Sequence, residues 1–356
     1  MRRKILGVTG VLGAVFVAQP VHARGDFRLI DRLSNGTVIS EVTTTAISRN
    51  GSTVVGTALV SGAWRGFSWT REAGATLLPL GDQGFFSEAT DVNDNGQVIV
   101  GTSGATPVAW RAGKFAELEH VPDQAVHYSV RRISADGRVA IGTVGSFSTG
   151  YHGIIWHDGE QQPLPSGMTS PTALSADGNL IFGYGSDAGG NEGVGRAVFG
   201  GKFELISAGT AEIVDVSYDG SIAVGTVSQD SGGAVASRWD SLGTRHALFE
   251  SDTWNSSAAG VSSDGRLIVG NHELLGGFIW DADAGAISLT DYFTFAGVNL
   301  EGWSGLSVVS ISAEGNFVTG TIVNPDGKYV GWIATIPAPS TAALLTFGLL
   351  GVRRRR

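Results

Sequence analysis

Seven times along the chain a short apolar run stops at a small polar residue, turns at a glycine and resumes as a run rich in Val, Ile and Ala. The seven segments are residues 46–56, 91–101, 132–142, 173–183, 215–225, 260–270 and 310–320. Their turn glycines are Gly51, Gly96, Gly137, Gly178, Gly220, Gly265 and Gly315, spaced by 45, 41, 41, 42, 45 and 50 residues. One period repeated seven times is the mark of a repeat architecture. In six of the segments Ser or Asn is followed two residues later by Asp-Gly or Asn-Gly, and in the seventh by Glu314-Gly315; this reads as a tight hairpin turn, with glycine supplying φ > 0. A second glycine follows (Gly56, Gly101, Gly142, Gly183, Gly225, Gly270, Gly320), and inside a strand it predicts a close approach of neighbouring backbones.

A third short strand with an aromatic end completes the pattern, marked by Trp69, Trp110, Trp156, Phe199, Trp239, Trp280 and Trp332. A fourth follows, as in residues 75–80, 114–118 and 202–206. Four short strands in about 42 residues is the size of a propeller blade. The last repeat ends after Trp332 without a fourth strand, while residues 27–33 form a spare strand near the start. Pairing the two would leave no exposed sheet edge. The expectation is therefore an all-β, seven-bladed β-propeller over residues 24–335, closed by an N-terminal strand in the last blade. An open β-solenoid would give no reason to divide one repeat between the two ends.

The two ends read as addresses. Arg2, Arg3 and Lys4 precede an apolar run over residues 5–17, and Val21-His22-Ala23 has small side chains where signal peptidase requires them, so residues 1–23 read as a signal peptide cut after Ala23. Residues 5–17 as a helix would span only about 20 Å, short of a bilayer core of about 30 Å. At the other end, residues 336–356 run Pro337-Ala338-Pro339-Ser340-Thr341, then apolar residues 342–352, then Arg353, Arg354, Arg355 and Arg356. This is the order of a transmembrane stop-transfer helix with its basic side held cytoplasmic. A simple tail anchor is the alternative.

Residues 336–356 resemble the PEP-CTERM sorting signal of Gram-negative bacteria, with Ala338 where that family carries Glu. The resemblance implies processing by an exosortase-type membrane protease and an association with exopolysaccharide. The seven repeats resemble the HAF-type extracellular-repeat proteins, whose Ser-x-Asp-Gly, Val-Val-Gly and Trp-ended strands match from residue 27 to 332; that implies a surface or secreted propeller with no assigned activity.

Composition narrows the partners. Without the three positive charges of residues 1–23 and the four of residues 353–356, the net charge of −9 becomes −16 for the body. Nucleic acid and anionic lipid are bound through Lys and Arg, so this body repels both. The absence of cysteine removes disulfides and thiol chemistry.

Asp91-Val92-Asn93-Asp94-Asn95-Gly96 and Asp215-Val216-Ser217-Tyr218-Asp219-Gly220 look like the start of a calcium loop. The twelfth positions hold Thr102 and Thr226 in place of Glu, and the register with five other repeats makes both hairpin turns. The histidines (22, 120, 127, 152, 157, 246 and 272) form no HExxH or His-x-His pair, so no metal site is expected. The Ser-x-Asp-Gly runs read as turn chemistry, and no Gly-x-Ser-x-Gly elbow occurs. No catalytic residue or cofactor is assigned. Trp254, in the polar stretch 251–257, and Trp303 lie off the repeated aromatic register and are the candidates for stacking on a sugar ring. The functional expectation is an exported, non-enzymatic binding or scaffold protein of the cell surface or extracellular matrix. Its partners would be signal peptidase, an exosortase-type protease, exopolysaccharide or envelope proteins, and transiently the inner membrane. A propeller-type glycoside hydrolase or polysaccharide lyase and a purely structural coat are the alternatives.

Overall fold

The computed structural model describes residues 26–81, 85–120, 126–146, 148–229, 232–249 and 254–336. Residues 1–23, read above as a signal peptide, and the tail from Pro337 onward lie outside them. Seven four-stranded antiparallel sheets are present, and six are built from consecutive strands. In the seventh, Ser304–Ile311, Phe317–Val323 and Tyr329–Thr335 are joined on their open edge by Phe27–Ile30. The register pairs Phe27 with Ala334 and Ile30 with Gly331. The closing strand is thus four residues long, shorter than the 27–33 expected, because Leu33 has already crossed to bridge Ala75 of the first blade.

No blade has a core of its own. The buried apolar side chains form seven clusters, one at each blade–blade interface: Val98 and Val100 of blade 2, for example, pack with Tyr128, Val130 and Trp156 of blade 3. This explains why second strands such as Val98–Ser103 are buried at every position. They are sandwiched between neighbouring sheets and read as continuous hydrophobic runs rather than alternating ones.

The turn chemistry is as the spacing predicts. The seven turn glycines take φ of +71° to +77°, and among the described residues the Asn or Asp before them stays at negative φ. The main-chain N–H of Gly51 donates to Ser48 O at 2.8 Å, closing a β-turn that the left-handed glycine then leaves. The buried serine holds the turn from inside. Ser134 Oγ donates to Asp136 at 2.6 Å and accepts the Val139 N–H at 2.9 Å, and Ser175, Ser217 and Ser262 repeat the arrangement. Asn93 takes this part in blade 2, accepting the Val98 N–H at 2.9 Å. The Ser175 hydroxyl holds the Asp177 carboxyl below the usual range, and the Ser221 main-chain N–H leads the same effect on Asp219.

The turns are linked in a circle. The N–H of Ala135 donates to Ala176 O, Ala176 to Tyr218, Tyr218 to Ser263, Ser263 to Ala313, and Ala313 across the seam to Arg49 O, at 2.8–3.1 Å. Asn50 donates to Asp94 O at 3.1 Å and Asp94 to Ala135 O at 3.3 Å, which completes it. Each turn glycine also rests on the preceding blade: Gly96 on Thr53, Gly137 on Val98, and, over the seam, Gly51 on the Phe317 ring.

The second glycine answers a β-bulge. Opposite it the innermost strand shifts register, between Thr44 and Ala46, Ala89 and Asp91, Val130 and Arg132, and at the same place in the other four blades. A Cβ on Gly56, Gly101 or Gly142 would collide with the carbonyl oxygen of Thr43, Glu88 or Ser129. The aromatic position is less regular than the sequence suggests. Trp69, Trp110, Trp156, Trp239 and Trp280 pair two residues before the second glycine, but that place is Ala197 in blade 4 and Ala334 in blade 7. Trp332 instead lies opposite Gly320 itself, where a ring also fits because the glycine has no side chain. The longest interval holds a short helix, Leu289–Phe295, whose Tyr292 and Phe293 pack into the blade 6–7 cluster; burial pushes the Tyr292 hydroxyl up to about 12.

Gly142→Ala is expected to lower stability by about 2 kcal/mol, since the carbonyl it meets is backbone and cannot rotate away. A chain beginning at residue 34 is expected to self-associate through the bare edge of Tyr329–Thr335. Thermal unfolding and size-exclusion chromatography measure both; an unchanged midpoint and a clean monomer would contradict the closure described.

Candidate functional site

The residue after the bulge of each innermost strand is Ala46, Asp91, Arg132, Ala173, Asp215, Gly260 or Ser310, and five of these, Ala46, Asp91, Arg132, Asp215 and Ser310, line one cavity. Three of the seven are charged. The Asp91 carboxylate accepts the Val92 N–H at 2.9 Å and, from the next blade, the Ile133 N–H at 2.9 Å. Asp215 does the same with Val216 and Val261, both at 2.9 Å. Arg132 donates to Val214 O at 2.9 Å, on the far side of the channel, and to Arg131 O at 3.2 Å. Val214 sits in the bulge of its strand, where its carbonyl lacks a ladder partner, so the guanidinium fills a vacancy that the bulge creates.

Burial pushes the Asp91 carboxyl up to about 6, against the pull of Arg132 and of its two main-chain donors. Desolvation therefore outweighs pairing at this group.

Above these residues, at the rim formed by the turns, Arg49 reaches over the opening. It forms an ion pair with Asp94 at 3.2 Å, donates to Ser263 Oγ at 3.0 Å and stacks over the Tyr218 ring at 5.4 Å. Beneath it lies a cavity of about 70 Å³ lined by Asp91, Asp94, Arg132 and Asp215, room for a few water molecules. Outside it, at the seam, a second cavity of about 300 Å³ is lined by Arg49, Asp94, Ser312, Glu314, Asn316 and Phe317. The two cavities share Arg49, Asp94 and Ala313 in their linings.

Asp91 and Asp215 thus lie in the strand that enters the turn, and not in the turn to which the calcium-like spacing assigned them. The spacing misleads because the partner amides belong to the next blade, and no local pattern shows that. Among the described residues no three His, Cys, Asp or Glu side chains gather as a metal would require. Arg49, Arg132, Tyr218, Glu88 and Glu212 were passed over in the sequence. The signal is in the repeats: once the seven are in register, these are charged or aromatic residues on the innermost strands and their turns, the elements nearest the axis of a propeller.

Of the two candidate tryptophans, Trp254 is 40% exposed in the linker before Ser256–Val261. Its neighbour Asn255 is fastened to Glu273 by the Glu273 N–H at 2.9 Å. Trp303 is half-buried in the linker before Ser304–Ile311 and packs with Leu300 against the blade 6–7 cluster. No ring contact joins them. The processing residues Ala23, Pro337, Pro339, Ser340, Thr341, Arg353, Arg354, Arg355 and Arg356 lie outside the described residues.

No family model matches the chain, and no curated protein matches it. Solved structures do. An oligogalacturonate lyase in complex with manganese is similar at 13% identity and a TM-score of 0.57, over 88% of this chain and 96% of that one. An oligogalacturonate lyase from Vibrio parahaemolyticus is similar at 11% identity and 0.57, over 88% and 97%. The β-propeller domain of Cps50 (Swd1) from Myceliophteria thermophila is similar at 10% identity and 0.52, over 87% and 98%. At these identities the likeness is one of fold: the chain is an all-β, seven-bladed propeller.

Asp91 should leave a pH signature. Its folded pKa of about 6 lies above the unfolded value of about 3.9, so below pH 4 both states hold the proton and its contribution is nil. Between pH 4 and 6 the unfolded chain ionises first, and stability falls by at most about 2–3 kcal/mol. Asp91→Asn removes this slope, so the melting temperature of the variant relative to the parent should rise from pH 4 to pH 7. Parallel curves would refute the assignment.

Proposed function

We propose that this protein is an exported, non-enzymatic propeller of the cell surface or extracellular matrix of a Gram-negative bacterium, where it binds or scaffolds exopolysaccharide or envelope proteins. The state of the channel carries the non-catalytic half. The carboxylates of Asp91 and Asp215 each accept two main-chain N–H groups, and the cavity between them is about 70 Å³, far below the roughly 300 Å³ at which small-ligand pockets begin. That space is small for two acids to flank a glycosidic bond.

The exported half rests on the ends of the sequence: the basic–apolar–small order before residue 24, the Pro-x-Pro, apolar and Arg order after residue 336, and the resemblance to HAF-type repeats and PEP-CTERM tails. In this reading signal peptidase cuts after Ala23. The tail holds the chain in the inner membrane until an exosortase-type protease acts near Pro337, Pro339, Ser340 and Thr341, with Arg353, Arg354, Arg355 and Arg356 on the cytoplasmic side. Among the described residues no helix is long and apolar enough to cross a membrane.

A polysaccharide lyase is the second reading. One observation favours it: Asp91 is tuned to about 6, close to where a general base works at neutral pH.

Expressed in a host with an exosortase-type protease, the chain should start at residue 24, lack the four arginines by mass spectrometry, and fractionate with the matrix. Retention in the cytoplasm with an intact N-terminus would overturn the exported reading. Release of unsaturated products from oligogalacturonate, with or without manganese, would overturn the non-enzymatic one.

A further inference from the structure

The two rims of the ring differ. One is made by the seven glycine turns and by the hairpins joining third to fourth strands; the other by the loops joining second to third strands and by the linkers between blades. Both described ends of the chain leave from the turn rim, side by side: the Thr335 N–H donates to Asp26 O at 3.1 Å, and the Ile336 N–H to Asn316 O at 2.8 Å. Only residues 337–341 separate Ile336 from the apolar residues 342–352, and fully extended they reach about 17 Å. While the tail is in the membrane, the turn rim and the 300 Å³ seam cavity beside it face the bilayer, and the loop rim faces outward.

The exposed aromatic side chains follow the same division. Trp64, Phe86, Tyr151, Tyr184, Trp254 and Tyr329 stand at the loop rim with exposures of 36–54%. The exposed aromatic residue of the turn rim, Tyr218, lies under the Arg49 guanidinium. The charges divide too. At the turn rim, Asp94 pairs with Arg49, Asp158 with Arg138, Asp240 with His246 and Asp281 with Arg266, while Asp136, Asp177, Asp219 and Asp264 accept from the turn serines. At the loop rim, Glu41, Glu88, Glu192 and Glu212 have no ion-pair partner among the described residues. Glu88 and Glu212 are exposed on innermost strands in blades 2 and 5, on opposite sides of the channel mouth. Aromatic and acid also come together locally. Gly66, two residues from Trp64, packs against the backbone of Glu88, and Trp254 adjoins Asn255, which is tied to Glu273.

From this juxtaposition we propose that the loop rim is the docking face of the propeller and that its occupant is an amine-bearing polysaccharide, a polymer of partly deacetylated amino sugars. Ring faces attract ammonium groups and unpaired carboxylates attract them further, while the same carboxylates repel a uronate polymer. The occupant is therefore opposite in charge to the substrate named for the lyases of the same fold. The proposal deepens the exported-scaffold reading and takes the outward direction of the loop rim from it.

The test is a titration of the secreted mature protein with chitosan oligosaccharide, with fully N-acetylated chito-oligosaccharide and oligogalacturonate as comparators. The amine-bearing oligomer should bind, and more weakly as salt is raised. Glu88→Gln combined with Glu212→Gln should weaken it about tenfold, and Trp254→Ala about fivefold, at unchanged melting temperature. Leu242→Asp, an exposed change on the turn rim, should leave binding alone. Equal or tighter binding of either comparator, no binding at all, or an equal loss from Leu242→Asp would overturn the proposal. Fractionation separates the two readings. Binding by a protein that stays in the cytoplasm removes the exported reading alone; export without binding removes the docking face alone.

Discussion

A chain of main-chain hydrogen bonds from turn to turn, returning from Ala313 to Arg49 across the seam, is the constraint on which the molecule depends. Each link requires the next blade to stand at a fixed angle and distance, and the last requires the first and last blades to meet. The same geometry sets the hydrophobic burial. Because every cluster is shared by two blades, no blade can bury its apolar face until its neighbours are in place. Folding is thus tied to completing the circle, and Phe27–Ile30 completes it covalently by bringing the start of the chain into the final sheet.

The channel follows from the same arrangement. Close approach of the innermost strands forces a bulge, and the bulge forces a glycine opposite, because any Cβ there would meet a carbonyl oxygen. It also leaves main-chain groups without ladder partners at the axis. Asp91, Asp215 and Arg132 answer those groups, two acids capping amides of the next blade and one guanidinium capping a carbonyl on the far side. Three charged side chains at the axis of an all-β ring are therefore accounted for by backbone satisfaction, with Asp91 raised toward neutrality as the electrostatic consequence of its burial. Arg49 finishes the enclosure at the turn rim.

Most of the exposed aromatic side chains named above lie at the other rim. Turn-rim carboxylates are consumed by arginines and by the turn serines, and the termini leave from that side. At the loop rim Glu41, Glu88, Glu192 and Glu212 have no ion-pair partner among the described residues. A ring whose interior is filled has its recognition capacity on its faces, and here one face carries the closure of the ring.

The sequence by itself determined the number of blades, the turns and the closing strand. Those features are local: a glycine at φ near +71°, a serine bonded to an aspartate two residues on, an apolar run of the right length, each repeated at one period. It also marked the second glycine as a close approach. Tertiary structure alone decided the rest. It placed Asp91 and Asp215 at the axis, because their second partners lie 42 and 46 residues away in the next blade. It moved the aromatic register in blades 4 and 7, because a ring can fill the space beside a glycine from more than one position on the same face. It packed Trp303 against the blade 6–7 cluster and left Trp254 exposed at a rim. Short-range pattern encodes the blade, but what a side chain meets across the gap between blades depends on residues a whole repeat away.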